Sequence, residues 1–233
     1  NEAFDASAGG NAEVGAEQKN PECLCPVCRL YETLNENELT RILGAAMMEP
    51  DVRIRTNRQG FCHRHFSMMF TARNRLGLAL MLESHLAEVS EHLSARGADK
   101  GGASKYLSVL QADCYVCGRM NAALDKIIDN TVGLWATDSA FRAKLEAQPY
   151  ICLDHAQELL EAGQGLRGKT AQAFSASVLS VLNGYLDTLR EDVSWFCKKF
   201  DYRYEEEPWY NAKDSVQRAI EFLSGTEGKG EKP

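Results

Sequence analysis

The chain has 233 residues, enough for one generous domain or two small ones with a real buried core. Its 44% hydrophobic and 25% charged residues are ordinary for a soluble globular protein, and a net charge of −7 argues against a general phosphate-binding surface. The longest apolar run, Leu76 to Leu82, is too short to cross a bilayer and contains Gly77, so no membrane partner is expected.

Residues 1–20 are rich in Ala, Gly, Asn and Glu and carry almost no large apolar side chain after Phe4, which predicts a flexible N-terminal arm. No charged-then-apolar leader opens the chain, and a cytoplasmic location is expected. Because residue 1 is Asn, the native start is expected to lie upstream. Asn35 and Glu38 form a cap and reach-back pair that predicts a helix carrying Leu39, Ile42, Leu43 and Met47, ended by Glu49-Pro50-Asp51. After His65, one long helix is predicted with Phe66, Met69, Phe70, Leu76, Leu80, Leu86 and Leu93 on one face. The glycine-containing run from Arg96 to Ser104 reads as a linker.

Beyond it the plan repeats. Met120, Leu124, Ile127, Ile128 and Leu134 predict a helix, and Phe141 and Leu145 a short one before Pro149. After His155 come a short helix, a glycine-rich break at Gly163, Gly165 and Gly168, and a long helix. That helix carries Phe174, Val178, Leu182, Tyr185, Leu189, Val193, Phe196 and Phe200. Glu205 to Glu207 read as a solvated turn, with Trp209 and Tyr210 pinning the last helix. That helix, from about Asn211, turns Val216, Ile220 and Leu223 inward and stops at Gly225. The expected fold is all-α, a helical bundle from two pseudo-repeats, each with a pair of zinc knuckles. Residues 21–224 are expected to form a single helical domain, with metal-binding repeats at about 21–95 and 105–200 plus the C-terminal helix, and 225–233 a disordered tail.

The repeats are defined by cysteine. Cys25-Pro26-Val27-Cys28 precedes Cys62-His63-Arg64-His65 by 33 residues, and Cys114-Tyr115-Val116-Cys117 precedes Cys152-Leu153-Asp154-His155 by 34. Three thiolates and one imidazole close a tetrahedral shell, which suits structural zinc. Two zinc ions are therefore expected, one per repeat. Cys25, Cys28, Cys62 and His65 would hold the first, and Cys114, Cys117, Cys152 and His155 the second. An iron–sulfur cluster is the alternative filling, and a redox dithiol at Cys25 and Cys28 a third reading that leaves the C-x-x-H halves without a role.

Other candidates read as ordinary. Cys23 is a bystander in the arm, and Cys197 a small buried apolar residue in the stripe of the last long helix. His63 neighbours the site, but its counterpart is Leu153, so His65 is the expected ligand. His85 and His92, seven apart on one helix face, could reach an ion, but without a carboxylate partner they read as surface or satisfied core histidines. Arg53, Arg55, Arg58 and Arg64 form a basic cluster that would suit nucleic acid, yet a solvated loop beside anionic thiolates explains it more simply. No nucleophile–base pair, phosphate loop or nucleotide fingerprint is present.

Ile42 to Arg53, Gly60 to Phe66, Asn74 to Leu82, and the closing Lys199-Phe200-Asp201-Tyr202-Arg203 with Pro208-Trp209 resemble a bacterial family catalogued as a domain of unknown function, common in anaerobic gut-type bacteria. The resemblance runs from about Cys25 to Ser224. It implies a cytoplasmic protein with the doubled motif on the eight residues named above, and a short native segment before Asn1. The small-residue arm before Cys23 looks inserted, and Tyr150-Ile151 stands where glycine-phenylalanine is expected. The expected role is a non-catalytic, zinc-stabilised interaction or regulatory module with an unidentified protein partner. A redox protein and a nucleic-acid-associated zinc protein are the alternatives.

Overall fold

The computed structural model describes residues 25–72, 74–96 and 101–224. The arm at 1–20, Cys23, residues 97–100 of the linker and the tail from Gly225 lie outside the described residues. Those described are all-α: ten helices and two short 3-10 turns, with no strand among them. No helix is long and apolar enough to cross a membrane. The described residues divide into two compact units. One comprises 25–30 with 125–224, and the other is the intervening 31–124.

The intervening unit contains most of α1 (Pro26–Leu43), α2 (Pro50–Gln59), α3 (His63–Thr71), α4 (Arg75–Arg96), α5 (Gly102–Ala112) and the start of α6 (Tyr115–Thr137). Its core gathers Leu39, Ile42 and Leu43 of α1, Val52 of α2, Met69 of α3, Leu78 and Met81 of α4, and Tyr115, Val116 and Met120 of α6. The predicted Asn35–Glu38 cap is not one. The helix already starts at Pro26, whose fixed φ suits a first turn, so both residues fall in its interior and are buried. Pro50 ends nothing on its own account; it opens α2 as a first-turn residue. Neither α2 nor α5 was expected.

The single long helix predicted after His65 is two helices. Asn74 accepts from the Gly77 amide at 2.9 Å through its side chain, an N-cap that starts α4 afresh after Ala72 turns extended. With the helix broken, the stripe loses its common face. Phe70, Leu76 and Leu86 are exposed, whereas Met69, Leu78 and Met81 are buried.

The other unit contains the rest of α6, α7 (Ser139–Glu146), α8 (Leu153–Gly163), α9 (Lys169–Lys198) and α10 (Ser215–Ser224). Here the expected helices α6 to α9 are observed. Asp138 caps α7 through bonds from the Ala140 and Phe141 amides, and α7, α8 and α10 all pack on α9. Phe174, Val178 and Leu189 of the α9 stripe are buried, with Trp135 edge-on to Phe174 at 5.1 Å. Gly163 lets α8 approach, since a Cβ there would sit 2.5 Å from the Phe174 ring. Phe200 lies past the end of α9 and is exposed, and Cys197, expected inside, is exposed as well.

The orientation of α10 also departs from expectation. Phe222 and Ser215 face inward, Phe222 meeting Tyr185 at 5.4 Å and Tyr150 at 6.1 Å, while Val216, Ile220 and Leu223 face out. The Phe222 ring finds tilted aromatic partners on that face, an arrangement that contributes beyond its area burial. Trp209 and Tyr210 do pack on α9, against Phe196 and Trp195. The Glu205–Glu207 turn is tied down from its backbone, where the Lys199 ammonium donates to the carbonyls of Tyr204, Glu205 and Glu207 at 2.6 to 2.7 Å.

Candidate metal centres

All four knuckles share one local structure. Cys25, Cys62, Cys114 and Cys152 each stand immediately before a helix, and the second ligand of each motif, Cys28, His65, Cys117 or His155, is the third residue of that helix. The first carbonyl of each knuckle accepts the opening intrahelical bond: from the amides of Arg29, Phe66, Gly118 and Ala156, at 2.9 to 3.1 Å. Cap and third position lie on the same side of a first turn, which is why a C-x-x-C or C-x-x-H spacing aims both donors at one point. The positive end of the helix dipole favours the thiolate form there.

The eight predicted residues gather into two sets of four, and the pairing differs from expectation. Cys25 and Cys28 converge with Cys152 and His155, and Cys62 and His65 with Cys114 and Cys117. In each set the donor atoms lie within 4.8 Å of one another. The sites are thus not local to their repeats: each C-x-x-C meets the C-x-x-H of the other copy, so the expectation of one ion per repeat is corrected. In the intervening unit the cause is visible. Gln59 donates to both carboxylate oxygens of Asp113 at 3.1 and 3.2 Å, and the Tyr115 amide donates to the Gly60 carbonyl at 3.0 Å. These bonds join the residues just before Cys62 to those around Cys114. Gly60 is required by this turn. Its φ is +63°, and a Cβ would press on the His85 ring at 2.9 Å.

The spacings fit one tetrahedral ion. For Zn–S of about 2.3 Å and Zn–N of about 2.0 Å, tetrahedral edges are about 3.8 Å between sulfurs and about 3.5 Å between sulfur and nitrogen. In the first set, Cys28 Sγ lies 3.7 Å from Cys152 Sγ, and His155 Nδ1 lies 3.1, 3.3 and 3.7 Å from Cys152, Cys28 and Cys25. In the second, Cys62 Sγ lies 3.8 Å from Cys117 Sγ, and His65 Nδ1 lies 3.2, 3.3 and 3.4 Å from Cys62, Cys114 and Cys117. Sulfur pairs at such separations are not disulfides, whose bond is about 2.05 Å.

In each set the imidazole Nδ1 faces the thiols. The Nε2–H of His65 donates to Asn35 Oδ1 at 3.2 Å, whereas His155 Nε2 lies 4.0 Å from the Glu158 carboxylate, beyond hydrogen-bond reach. A partner such as Asn35 fixes ring orientation and raises ligand basicity. Asn35, read from sequence as a helix cap, is therefore part of the second centre. Its interior helical position, ten residues after Cys25, was the signal that could have shown it.

Electrostatics within each set favours a thiolate. Hydrogen bonding from Cys117, then from His65, draws Cys114 down to about 3, and the donating Cys117 thiol is pushed up in turn. Cys152 is drawn well below the usual thiol range, chiefly by bonds from Cys25 and Cys28. Burial would lower His155, but its bonds to Cys152 and Cys25 outweigh that and raise it to about 9.

The remaining candidates lie outside both sets. His63 is exposed. His85 Nδ1–H donates to the Asn57 carbonyl at 2.7 Å, and His92 meets Glu88 at 3.2 Å. Arg53 donates to the Leu80 carbonyl of α4, and Arg55 to the Asp51 carbonyl of its own helix. No match was found among curated proteins or among solved structures. A family model does match, over residues 16–229, a span that includes all eight clustered residues. The chain belongs to the family of unknown function DUF6062.

Proposed function

We propose that this is a non-catalytic, zinc-stabilised helical protein of the cytoplasm that serves as an interaction or regulatory module. The observation that carries the reading is that each set supplies four protein donors at tetrahedral edge lengths. A shell closed by the protein leaves no position for a substrate. Donors that converge this tightly suit a single ion better than an iron–sulfur cluster, whose thiolates bind separate irons. Bound zinc would supply a redox-inert crosslink, on the order of 10 kcal/mol of folding free energy per site in zinc-finger peptides. The chain's own residues do the rest: helix N-termini present the thiolates, and Asn35 orients the His65 imidazole.

Elemental analysis and an ultraviolet–visible spectrum of anaerobically purified protein test the reading. Colourless protein with two zinc ions per chain, matching the two donor sets, is expected. A brown protein containing iron and sulfide would replace this reading with the redox one.

A further inference from the structure

The two centres share a donor set but not an exposure. Cys25, Cys28, Cys152 and His155 are all buried, at 0 to 6% exposure. In the second set Cys114 and His65 are buried, but Cys62 and Cys117 are both only partly buried. Their sulfurs lie side by side at 3.8 Å. The surface next to them is open: a Cβ on Gly118 would meet nothing within 4 Å, and His63 beside Cys62 is exposed.

We propose that Cys62 and Cys117 are a peroxide-modification site, at which oxidation to a disulfide expels the ion of the second centre while the first keeps its own. The proposal rests on the zinc reading given above. One of the two thiolates attacks hydrogen peroxide, the O–O bond breaks, and a sulfenic acid and hydroxide form. The second thiolate displaces hydroxide from that sulfenic acid, closing the S–S bond. Two electrons pass from the two sulfurs to the peroxide, and two solvent protons convert the two hydroxides to water. The closing sulfurs need to move together by less than 2 Å, from 3.8 Å to about 2.05 Å. Cys114 and His65 remain, too few donors to hold zinc. The link between the N-termini of α3 and α6 is then a covalent bond between two side chains in place of a four-donor shell.

The test uses the full wild-type chain loaded with zinc, treated with hydrogen peroxide in the presence of a chromogenic zinc indicator. The expected result is one equivalent released at least about tenfold faster than the second, as access governs thiolate oxidation. Peptide mapping after alkylation is expected to find a Cys62–Cys117 disulfide, with Cys25, Cys28 and Cys152 unmodified and the exposed Cys197 as the reference thiol. Release of both ions at one rate, a disulfide in the Cys25 set, or a Cys114–Cys117 disulfide would overturn the proposal. Protein that carries no zinc before peroxide is added would overturn the zinc reading and the proposal with it, and the starting metal content tells the two failures apart. Restoration of the lost equivalent by thiol reductant and zinc is expected, since a disulfide is reversible and a sulfinic acid is not.

Discussion

Asn35 and Glu38 lie one turn apart on α1, and both serve the second centre's surroundings. Asn35 holds His65, so Asn35→Leu is expected to weaken zinc binding in that centre by about 10- to 100-fold without touching the first, as seen when partners of ligating histidines are removed. Competition with a graded chelator would show it as one weakened equivalent; two equivalents that stay equal would contradict the assignment. Glu38 is tied to Arg41 at 2.7 and 3.0 Å and to Arg119 at 2.6 Å. Burial would raise its carboxyl, but those guanidiniums hold it below its ordinary 4.5. A carboxyl lowered in the folded state stabilises fully above its unfolded value, and that stabilisation is lost as pH falls through the folded one. Glu38→Gln is therefore expected to cost about 2 kcal/mol at pH 7, a charged hydrogen bond's worth, with the gap from wild type still present above 4.5 and closing as urea melts are taken to successively lower pH beneath it. A gap that does not change with pH would mean the Arg41 and Arg119 pairing contributes nothing electrostatic.

At the scale of helices, packing across α8 and α9 depends on one missing side chain. Gly163→Ala would drive a methyl into the Phe174 ring, which is fully buried and edge-on to Trp135, so neither ring can yield freely. The expected cost is about 1 to 3 kcal/mol, read as a lowered melting temperature, and a neutral result would show that α9 shifts to accommodate it. The elements that sequence did reveal are those whose periodicity and caps agree. In α6 and α9 the apolar stripe follows the helical period along most of its length, with Leu134 and Phe200 exposed, and α7 opens on Asp138, a cap that the sequence reading did not single out. The elements it concealed are those where two signals conflict. Pro50 both closes one helical pattern and opens α2, and the apolar run from Phe66 to Leu82 continues straight through the Asn74 cap. In α10 a 3.6-residue stripe was present, yet the single ring of Phe222, off that stripe, chose the buried face. The ligands were legible because a Cys at the cap and a Cys or His three residues on is itself a helix-start geometry.

Which ligands meet is a property of the whole chain, and spacing could not reveal it. Closing Cys28 onto Cys152 spans 124 residues, whereas the local partner Cys62 is 34 away. The entropy of closure grows only as the logarithm of length, so the longer loop costs about 1 kcal/mol more. Against roughly 10 kcal/mol from a filled zinc shell, that difference is too small to impose local pairing. The path of the helices decides, above all the return along α4 and α5 that sets Cys114 beside Cys62. Fragments separate the two pairings cleanly. Residues 21–100 contain Cys25, Cys28, Cys62 and His65, which is a complete shell if sites are local and two half-shells as observed. Residues 31–137 contain Cys62, His65, Cys114 and Cys117, a complete observed set, together with the core built from α1, α2, α3, α4 and α6. The longer-looped fragment 31–137 is expected to bind one zinc ion and to melt cooperatively with it, and 21–100 to bind weakly and melt without cooperativity. Zinc titration against a chelator and circular dichroism melts check both. Tight binding of one ion by 21–100, with cooperative melting, would show that the local shell forms whenever it is offered, and that the exchanged pairing depends on the rest of the chain.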